Sequence, residues 1–163
     1  MNIVLIGMAG AGKSTLGVLL AKALGMDYLD TDIVIQQRTG RLLREIIENE
    51  GLDVFLKTEE QAILGLDVDN HVIATGGSAV YSGAAMQALH KGGRIIYLYV
   101  PYREIEKRVK NIKSRGVVLK KGNSLKEEYR EREPLYRKYG DLTVDCTGRD
   151  VEHCVETVLK YLK

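Results

Sequence analysis

The strongest constraint on the fold of this chain is a glycine-rich segment near its N-terminus. Residues 7–14 read Gly-Met-Ala-Gly-Ala-Gly-Lys-Ser, which fits the pattern G-x-x-x-x-G-K-[ST] at every fixed position. A short apolar run, Asn2 to Ile6, precedes the segment, and a helical apolar period from Ser14 to Leu24 follows it. This strand, loop and helix order predicts a loop that folds around an anion. A glycine-rich turn without a ligand is the weaker alternative.

The residue types in this loop suit a triphosphate. Glycines allow several backbone N–H groups to point at one anion, and the start of the following helix adds partial positive charge. Lys13 is expected to neutralise β- and γ-phosphate oxygens, and Ser14 to offer its hydroxyl group to Mg²⁺. A dinucleotide-binding loop fits less well, since its G-x-G-x-x-G pattern carries no Gly-Lys-Ser. The predicted ATP-binding residues of the loop are Gly10, Ala11, Gly12, Lys13, Ser14 and Thr15.

Beyond the loop, strand-like and helical segments alternate along the chain. This alternation predicts βαβ units, and therefore a parallel sheet covered by helices on both faces, in one domain spanning residues 1–163. A single helix is expected over residues 79–90, and Pro134 is expected to kink or restart the helix over residues 125–139. The further strand-like runs are at residues 27–29, 71–74, 94–100 and 142–145.

The composition argues against several classes of partner. The chain has 24 basic and 22 acidic residues, and its formal net charge of +2 lacks the basic excess typical of nucleic-acid-binding proteins. The longest apolar runs, such as Ile95 to Val100, are too short to span a membrane. No secretory leader is recognisable, and Cys146 and Cys154 read as free thiols. We therefore expect a monomeric protein of the cytoplasm with a small-molecule substrate and no nucleic-acid or membrane partner.

Two acidic residues follow the second strand-like run, at the sheet edge where ligands bind in open α/β folds. Asp30 and Asp32 are two residues apart, so in an extended segment both carboxylates would face one cleft. A magnesium–nucleotide site needs an acid near the metal, and a phosphoryl acceptor needs an acid at its hydroxyl group. We assign Asp30 to the metal, through water, and Asp32 to the acceptor hydroxyl. An N-capping role for Asp32, in a helix from Ile33, stays open.

A second glycine turn and a basic segment complete the candidate site. Thr75-Gly76-Gly77-Ser78 is either a tight turn or a place where a ligand approaches the backbone. Residues 110–123 are basic and glycine-punctuated, which suits either a lid over a triphosphate or a solvated loop. Arg115 in this segment would stabilise charge on the transferring phosphoryl group. Arg132 is a candidate for binding a substrate carboxylate, or else a surface charge.

Together these segments resemble the shikimate kinases, which are small P-loop enzymes of the nucleoside-monophosphate-kinase fold. The resemblance runs nearly end to end. Its most specific parts are the Asp-Thr-Asp turn, the Gly-Gly turn and the run Arg132-Glu133-Pro134-Leu135-Tyr136. The other matching segments are residues 7–17, Leu29 to Asp32, Gln37 to Gly40, Ala74 to Gly77, Arg115, and Val144 with Asp145.

The resemblance implies a three-layer α/β/α P-loop NTPase fold with a five-stranded parallel sheet. It also implies a helical substrate-binding section at about residues 32–60 and a lid at about residues 110–123. The implied reaction is transfer of the γ-phosphate of ATP, with Mg²⁺, to the 3-hydroxyl of shikimate, a step of aromatic amino acid biosynthesis. The implied catalytic residues are Lys13, Asp32 and Arg115. The implied substrate contacts are Asp32, Gly76, Gly77 and Arg132, and the implied nucleotide contacts include Arg108, Arg115 and Arg149.

The chain departs from the family pattern in three places. The arginine expected after Phe55 is Leu56, the third glycine of the glycine turn is Ser78, and the Arg-Pro-Leu of the lid reads Arg115-Gly116-Val117. Loss of one charge-assisted hydrogen bond to a carboxylate costs about 1.5–3 kcal/mol, which is about tenfold to a hundredfold in affinity. Lys57, about 100° around the helix, is a candidate to replace the arginine. A kinase with another hydroxylated acceptor and a non-catalytic nucleotide-binding regulator stay open as alternatives.

Overall fold

One parallel sheet organises the computed structural model, which describes residues 1–110, 119–120 and 122–163. The order of the strands across the sheet is β2-β3-β1-β4-β5, and each neighbouring pair is parallel. The predicted five-stranded parallel sheet is therefore confirmed. The strands are β1 (Asn2–Ile6), β2 (Asp27–Asp30), β3 (His71–Ala74), β4 (Gly93–Tyr99) and β5 (Leu142–Asp145).

Helices cover both faces of this sheet. The largest core cluster joins side chains of α1, α5 and α8 to the strands, and β1 is buried along its whole length. A strand buried on both faces reads as a continuous apolar run, as β1 does. The described helices are α1 (Lys13–Leu24), α2 (Thr31–Thr39), α3 (Leu43–Glu50), α4 (Leu52–Leu64), α5 (Gly83–Gly92), α6 (Tyr102–Lys110), α7 (Leu125–Tyr139) and α8 (Val151–Leu162).

A second, smaller core forms where α2, α3 and α4 pack together beside the sheet. Its buried members are Ile35, Leu43, Ile46, Phe55 and Ala62. These helices occupy the stretch in which the substrate-binding section is predicted. None of the helices in the described part of the chain is both long and apolar enough to cross a membrane.

Two local expectations about helices are wrong. The predicted helix over residues 79–90 is divided, because a 3₁₀ turn at Ala79–Tyr81 precedes α5, whose first turn is capped by the Ser82 hydroxyl accepting from the Ala85 N–H at 3.0 Å. Pro134 does not restart a helix, since α7 is continuous from Leu125 to Tyr139. Pro134 is exposed, on the side of α7 away from the buried residues Glu128, Arg132 and Tyr136.

The strand order brings three loops together at the carboxyl-terminal ends of the strands. The chain passes from the centre (β1) to one edge (β2), returns through β3, and then crosses to β4 on the other side of β1. Because all strands are parallel, the segments that follow β1, β2 and β3 emerge side by side at their carboxyl ends. Ligands bind at such a switch point in open α/β sheets.

Candidate active site

A cleft with a volume of about 270 Å³ opens at the carboxyl ends of β1, β2 and β3. The phosphate loop, the acidic turn and the glycine turn all contribute to its walls. Ala11, which is buried behind the loop, does not line it. The predicted residues that the structure places on the cleft are Gly10, Gly12, Lys13, Ser14, Thr15, Asp30, Asp32, Gly76, Gly77 and Arg132.

Lys13 is held inside the phosphate loop by the loop's own backbone. Its Nζ donates to the carbonyl oxygens of Gly7 at 2.7 Å and Met8 at 2.8 Å, and the residue is only 7% exposed. Burial lowers the pKa of Lys13 to about 8, although the nearby carboxylates of Asp32 and Asp30 act in the opposite direction. A desolvated ammonium group in this position gains strongly from an incoming anion, because the anion replaces the missing hydration.

The loop adopts the conformation that its glycines permit. Gly10 and Gly12 have φ values of 83° and 92°, which side chains rarely tolerate. Gly12 caps α1, so the backbone N–H groups of Lys13 and Ser14 lie in the first turn of that helix. The first turn leaves its N–H groups without helical partners, which suits a phosphate group.

Asp30 links the acidic turn to the phosphate loop. Its Oδ2 accepts from the Ser14 hydroxyl at 3.0 Å, and its Oδ1 accepts from the Asp32 N–H at 2.9 Å. Asp30 therefore caps α2, and the N-capping role considered for Asp32 is wrong. A hydroxyl and a carboxylate are hard oxygen donors. Together they fit Mg²⁺, which takes few protein ligands and keeps waters and phosphate oxygens.

Asp32 reaches the same cleft from the first turn of α2. Asp32 lies on a helix, because α2 begins at Thr31. The prediction that Asp30 and Asp32 face one cleft because they alternate along a strand is therefore wrong in its reason. Burial, together with the neighbouring charge of Asp30, raises the pKa of Asp32 to about 6, and the Lys13 charge acts in the opposite direction. A carboxylate with a pKa close to neutrality is suited to accept a proton from a hydroxyl group.

The absence of a side chain at Gly76 leaves room for the carboxylate of Asp32. A β-carbon at Gly76 would lie 2.7 Å from Glu59 Oε2 and 2.8 Å from Asp32 Oδ1. We expect Gly76→Ala to push Asp32 out of position and to lower kcat/KM about 100-fold, since a displacement of about 1 Å has effects of this size. Steady-state kinetics of ADP formation measure the loss. Gly83→Ala is the control, because its β-carbon meets its nearest neighbour at 3.7 Å, and equal activities of the two variants would contradict the prediction.

Arg132 is buried at the other side of the glycine turn and is not a surface charge. It is 1% exposed, and its Nε donates to the Tyr81 hydroxyl at 3.2 Å and lies 3.3 Å from Glu128 Oε2. Tyr81 in turn donates to Glu128 Oε2 at 2.7 Å, and its ring lies beneath the guanidinium group at 5.2 Å. A β-carbon at Gly77 would lie 3.2 Å from Arg132 Nη1. The guanidinium group therefore reaches the edge of the cleft next to Gly77.

Glu128 is the buried anion that holds Arg132. Burial alone would raise its pKa, but the Lys120 N–H, the Tyr81 hydroxyl and the Arg132 charge together keep that pKa below its usual range. The Lys120 N–H donates to Glu128 Oε1 at 2.5 Å. The α7 face that carries Glu128, Arg132 and Tyr136 at four-residue spacing is thus a polar face turned inward.

A further buried acid, Glu59, was missed by the sequence analysis. It lies on α4, is 2% exposed, and its Oε1 accepts from the Ser78 hydroxyl at 2.7 Å. Burial raises its pKa to about 7 against the hydrogen bond from Ser78. The apolar period of α4 includes this position among its inward-facing residues. That period could have indicated a buried glutamate, but it says nothing about the partner.

This raised pKa predicts a pH-dependent stability. The contribution of Glu59 to the free energy of unfolding is largest below the ordinary glutamate pKa of 4.5 and is lost as pH rises to about 7, because the folded protein keeps the proton at pH values where the unfolded chain has released it. One pKa unit is about 1.4 kcal/mol, so the loss between pH 5 and pH 8 is on the order of 2 kcal/mol. Urea unfolding of the wild type and of Glu59→Gln at both pH values measures it. Identical pH dependence in the two proteins would contradict the prediction.

The two arginines predicted at the adenine end do not line the cleft, and Arg108 contacts the phosphate loop. Arg108 Nη1 donates to the Gly10 carbonyl at 3.0 Å. Glu104 accepts from Arg108 Nη2 at 3.2 Å and from the Gly148 N–H at 2.9 Å, which ties α6 to the turn that carries Arg149. Arg149 is exposed, and its side chain contacts His153.

One predicted acceptor-site residue, Lys57, is not brought to the acceptor side of the cleft. Lys57 is exposed and lines a separate groove with Arg38 and Val54, so the structure does not place it where an arginine at position 56 is expected to act. The physical reason is its rotation around α4, which turns it away from Phe55. Arg115, with most of the predicted lid, lies outside the described residues.

Comparison with known proteins identifies the family. The family model described as shikimate kinase matches residues 9–163. A shikimate kinase of Thiobacillus denitrificans is 40% identical over 154 residues, which cover 92% of this chain and 84% of that protein. A shikimate kinase of Pseudomonas aeruginosa is 36% identical over 167 residues, covering 100% of this chain and 96% of the relative.

The same family is found among solved structures. The structure of shikimate kinase from Acinetobacter baumannii in complex with shikimate superposes with a TM-score of 0.88 at 30% identity. The match covers 99% of this chain and 92% of that protein. A match of this length includes the phosphate loop, the acidic turn, the glycine turn and α7. The chain belongs to the shikimate kinase family.

Proposed function

We propose that this protein transfers the γ-phosphoryl group of ATP to the 3-hydroxyl of shikimate. The observation that carries the proposal is the convergence of Lys13, Asp32 and Arg132 on one cleft. These residues supply a cation for the phosphates, a base for a hydroxyl group and a buried guanidinium group for a carboxylate. The family membership and the shikimate complex of the A. baumannii relative support the choice of acceptor.

The nucleotide half of the reaction uses the loop that joins β1 to α1. The N–H groups at the start of α1 receive the phosphates, and Lys13 exchanges the carbonyl oxygens of Gly7 and Met8 for phosphate oxygens. Ser14 and Asp30 would hold Mg²⁺, the aspartate through water. When bound, Mg²⁺ neutralises charge on the phosphate oxygens. Arg108 and Arg149 border the adenine end in this proposal, and Arg115 approaches the phosphates from the lid.

The acceptor half uses the acidic turn, the glycine turn and α7. Asp32 orients the attacking hydroxyl and takes its proton as the new phosphate bond forms. Gly76 and Gly77 allow the acceptor to approach the backbone, because neither residue carries a side chain. Arg132, fixed by Glu128 and Tyr81, binds the carboxylate of the acceptor.

A coupled assay of ADP release tests this function. Shikimate, gluconate and amino-acid alcohols are compared as acceptors at saturating magnesium–ATP. Turnover with shikimate at a micromolar KM, and not with the others, is the expected result. Preferred turnover of another hydroxylated acid would favour the alternative kinase, and no turnover at all would favour the nucleotide-binding regulator. Monomeric and cytoplasmic states belong to the same proposal, and light scattering of the purified protein tests the first.

Leu56 gives the proposal a second test. An arginine at position 56 would lie on the same helix face as Glu59, three residues on, and beside Phe55, which lines the cleft. We expect Leu56→Arg to lower the KM for shikimate about tenfold, because it adds a charge-assisted hydrogen bond to the acceptor carboxylate. Lys57→Arg, which lines the other groove, is the matched control. An unchanged KM for shikimate in Leu56→Arg would count against shikimate as the acceptor.

A further inference from the structure

A buried phenol group, that of Tyr136, lies directly behind the acceptor side of the cleft. Its side chain is fully buried, and the cleft-lining residues in the described part of the chain include Gly77 and Arg132 but not Tyr136. The ring stacks on Tyr97 of β4, with 5.2 Å between the ring centroids and 23° between the ring planes. Tyr136 is therefore fixed against the sheet, and it acts on an acceptor only through the residues that it contacts.

The hydroxyl group of Tyr136 joins the glycine turn to the phosphate loop. It donates its one proton to the Gly77 carbonyl at 2.6 Å, and Met8 Sδ packs against the same oxygen at 3.7 Å. Burial raises the pKa of Tyr136, so the hydroxyl group keeps this proton. The Met8 carbonyl in turn accepts from Lys13 Nζ at 2.8 Å. One hydroxyl group thus contacts both the segment that faces the acceptor and the segment that faces the nucleotide.

Arg132 reaches the same hydroxyl group from the preceding turn of α7. Residues four apart on a helix are neighbours, and the guanidinium group of Arg132 donates a hydrogen bond to the Tyr136 hydroxyl. A β-carbon at Gly77 would lie 3.2 Å from Arg132 Nη1, 3.3 Å from the Ala9 nitrogen and 3.5 Å from the hydroxyl oxygen, which shows how closely these groups are packed. The acceptor arginine, the glycine turn and the phosphate loop therefore meet around one buried hydroxyl group.

We propose that Tyr136 is a positioning residue, whose hydroxyl group fixes Arg132 and the glycine turn against the phosphate loop and so sets the distance between the acceptor hydroxyl and the transferring phosphoryl group. The inference deepens the proposed function and rests on it. In-line transfer requires the reacting atoms to be about 3–3.5 Å apart, and a displacement of about 1 Å costs about 100-fold in rate. Contacts within the cleft form only when the substrates are bound, whereas this buried junction holds its geometry beforehand.

The test compares wild type with Tyr136→Phe, which removes only the hydroxyl group. At saturating magnesium–ATP and shikimate, we expect kcat to fall about tenfold, because the glycine turn and the phosphate loop lose their common contact. The KM for shikimate should rise about tenfold, because Arg132 loses a hydrogen-bonding partner that orients it. The KM for ATP should stay within about twofold of wild type, since backbone carbonyl groups of the phosphate loop, and not the phenol, position Lys13.

Tyr129→Phe is the matched control. Tyr129 lies on the same helix, and its hydroxyl group donates to the Val100 carbonyl at 3.0 Å, so this variant loses the same kind of hydrogen bond away from the cleft. Both variants should lose some thermal stability. Only Tyr136→Phe should change the kinetics, measured well below both melting temperatures.

A double-mutant cycle gives a second readout that a purely structural role would not produce. The background is Arg132→Met with Glu128→Leu, which removes the buried ion pair as a whole. In this background, Tyr136→Phe should raise the KM for shikimate by less than about twofold, because the hydroxyl group acts on the acceptor carboxylate through Arg132. The full increase of about tenfold in this background would overturn the inference.

The remaining outcomes separate this inference from the proposed function. Wild-type kcat and KM in Tyr136→Phe, with shikimate phosphorylated by both proteins, would overturn the inference alone. Equal kinetic losses in Tyr136→Phe and Tyr129→Phe, or a lower melting temperature of Tyr136→Phe without a kinetic change, would overturn it by assigning Tyr136 a structural role. Turnover of a different hydroxylated acid would overturn only shikimate as the acceptor, and kinetics with that acid would then decide the inference. No turnover of any hydroxylated acid would overturn both.

Discussion

Asp32→Asn is expected to lower kcat by about three orders of magnitude while the Kd for ATP stays within about twofold of wild type. General-base catalysis contributes about 10²–10⁴ to a rate, and the amide is isosteric but takes no proton from the acceptor hydroxyl. The lysine of the phosphate loop is positioned by the carbonyl oxygens of Gly7 and Met8, so its place in the nucleotide half of the site does not depend on the Asp32 side chain. Steady-state kinetics give kcat, and isothermal titration gives the Kd for ATP.

Asp27→Asn is the control for that comparison. Asp27 lies on the same strand, β2, but is exposed and at the opposite end from the cleft. Its substitution should leave both kcat and the Kd for ATP unchanged. A turnover number of Asp32→Asn within tenfold of wild type would remove Asp32 from proton transfer and leave it a binding role at most.

Arg132→Met should affect stability and acceptor binding together. Removing one partner of a buried ion pair costs about 3–5 kcal/mol, since Glu128 would stay fully buried with its attracting cation gone. The KM for shikimate should also rise about 100-fold, because the acceptor carboxylate loses its charge-assisted hydrogen bonds. Denaturant unfolding measures the first effect, and steady-state kinetics the second.

A second substitution separates these two effects. In Arg132→Met with Glu128→Leu, the anion is removed as well, so much of the lost stability should return while the KM for shikimate stays high. Arg130→Met, at an exposed position of the same helix, should change neither quantity. Recovery of a normal KM in the double variant would show that Arg132 acts through folding and not through the acceptor.

Sequence patterns predicted the fold well because the decisive signals are local. The motif at residues 7–14 requires a strand before it and a helix after it, and β1 and α1 meet that requirement. Alternating strand-like and helical runs predicted the parallel sheet. The division of the helix over residues 79–90 was not predictable, because it depends on the hydroxyl group of Ser82 capping α5 rather than on apolar periodicity.

The site was only partly predictable because its key polar residues are buried through tertiary contacts. Glu128 carries a charge that in a sequence resembles a solvated helix face, and only the tertiary structure shows that it is buried. The apolar period of α4 could have placed Glu59 inside, but it does not identify Ser78 as the partner. Asp32 reaches the cleft from a helix that begins at Thr31, two residues earlier than the expected start at Ile33. Lys57 illustrates the same limit, since one step around α4 places it in a different groove.

The crowding of the glycine turn restricts how this enzyme can be redesigned. A β-carbon at Gly76 or Gly77 would lie 2.7–3.2 Å from a charged side chain. Substitution of either glycine is therefore not a way to obtain new acceptors. Leu56, by contrast, is half-buried. Libraries intended to alter the acceptor range should therefore diversify α4 around Leu56 and keep the turn constant.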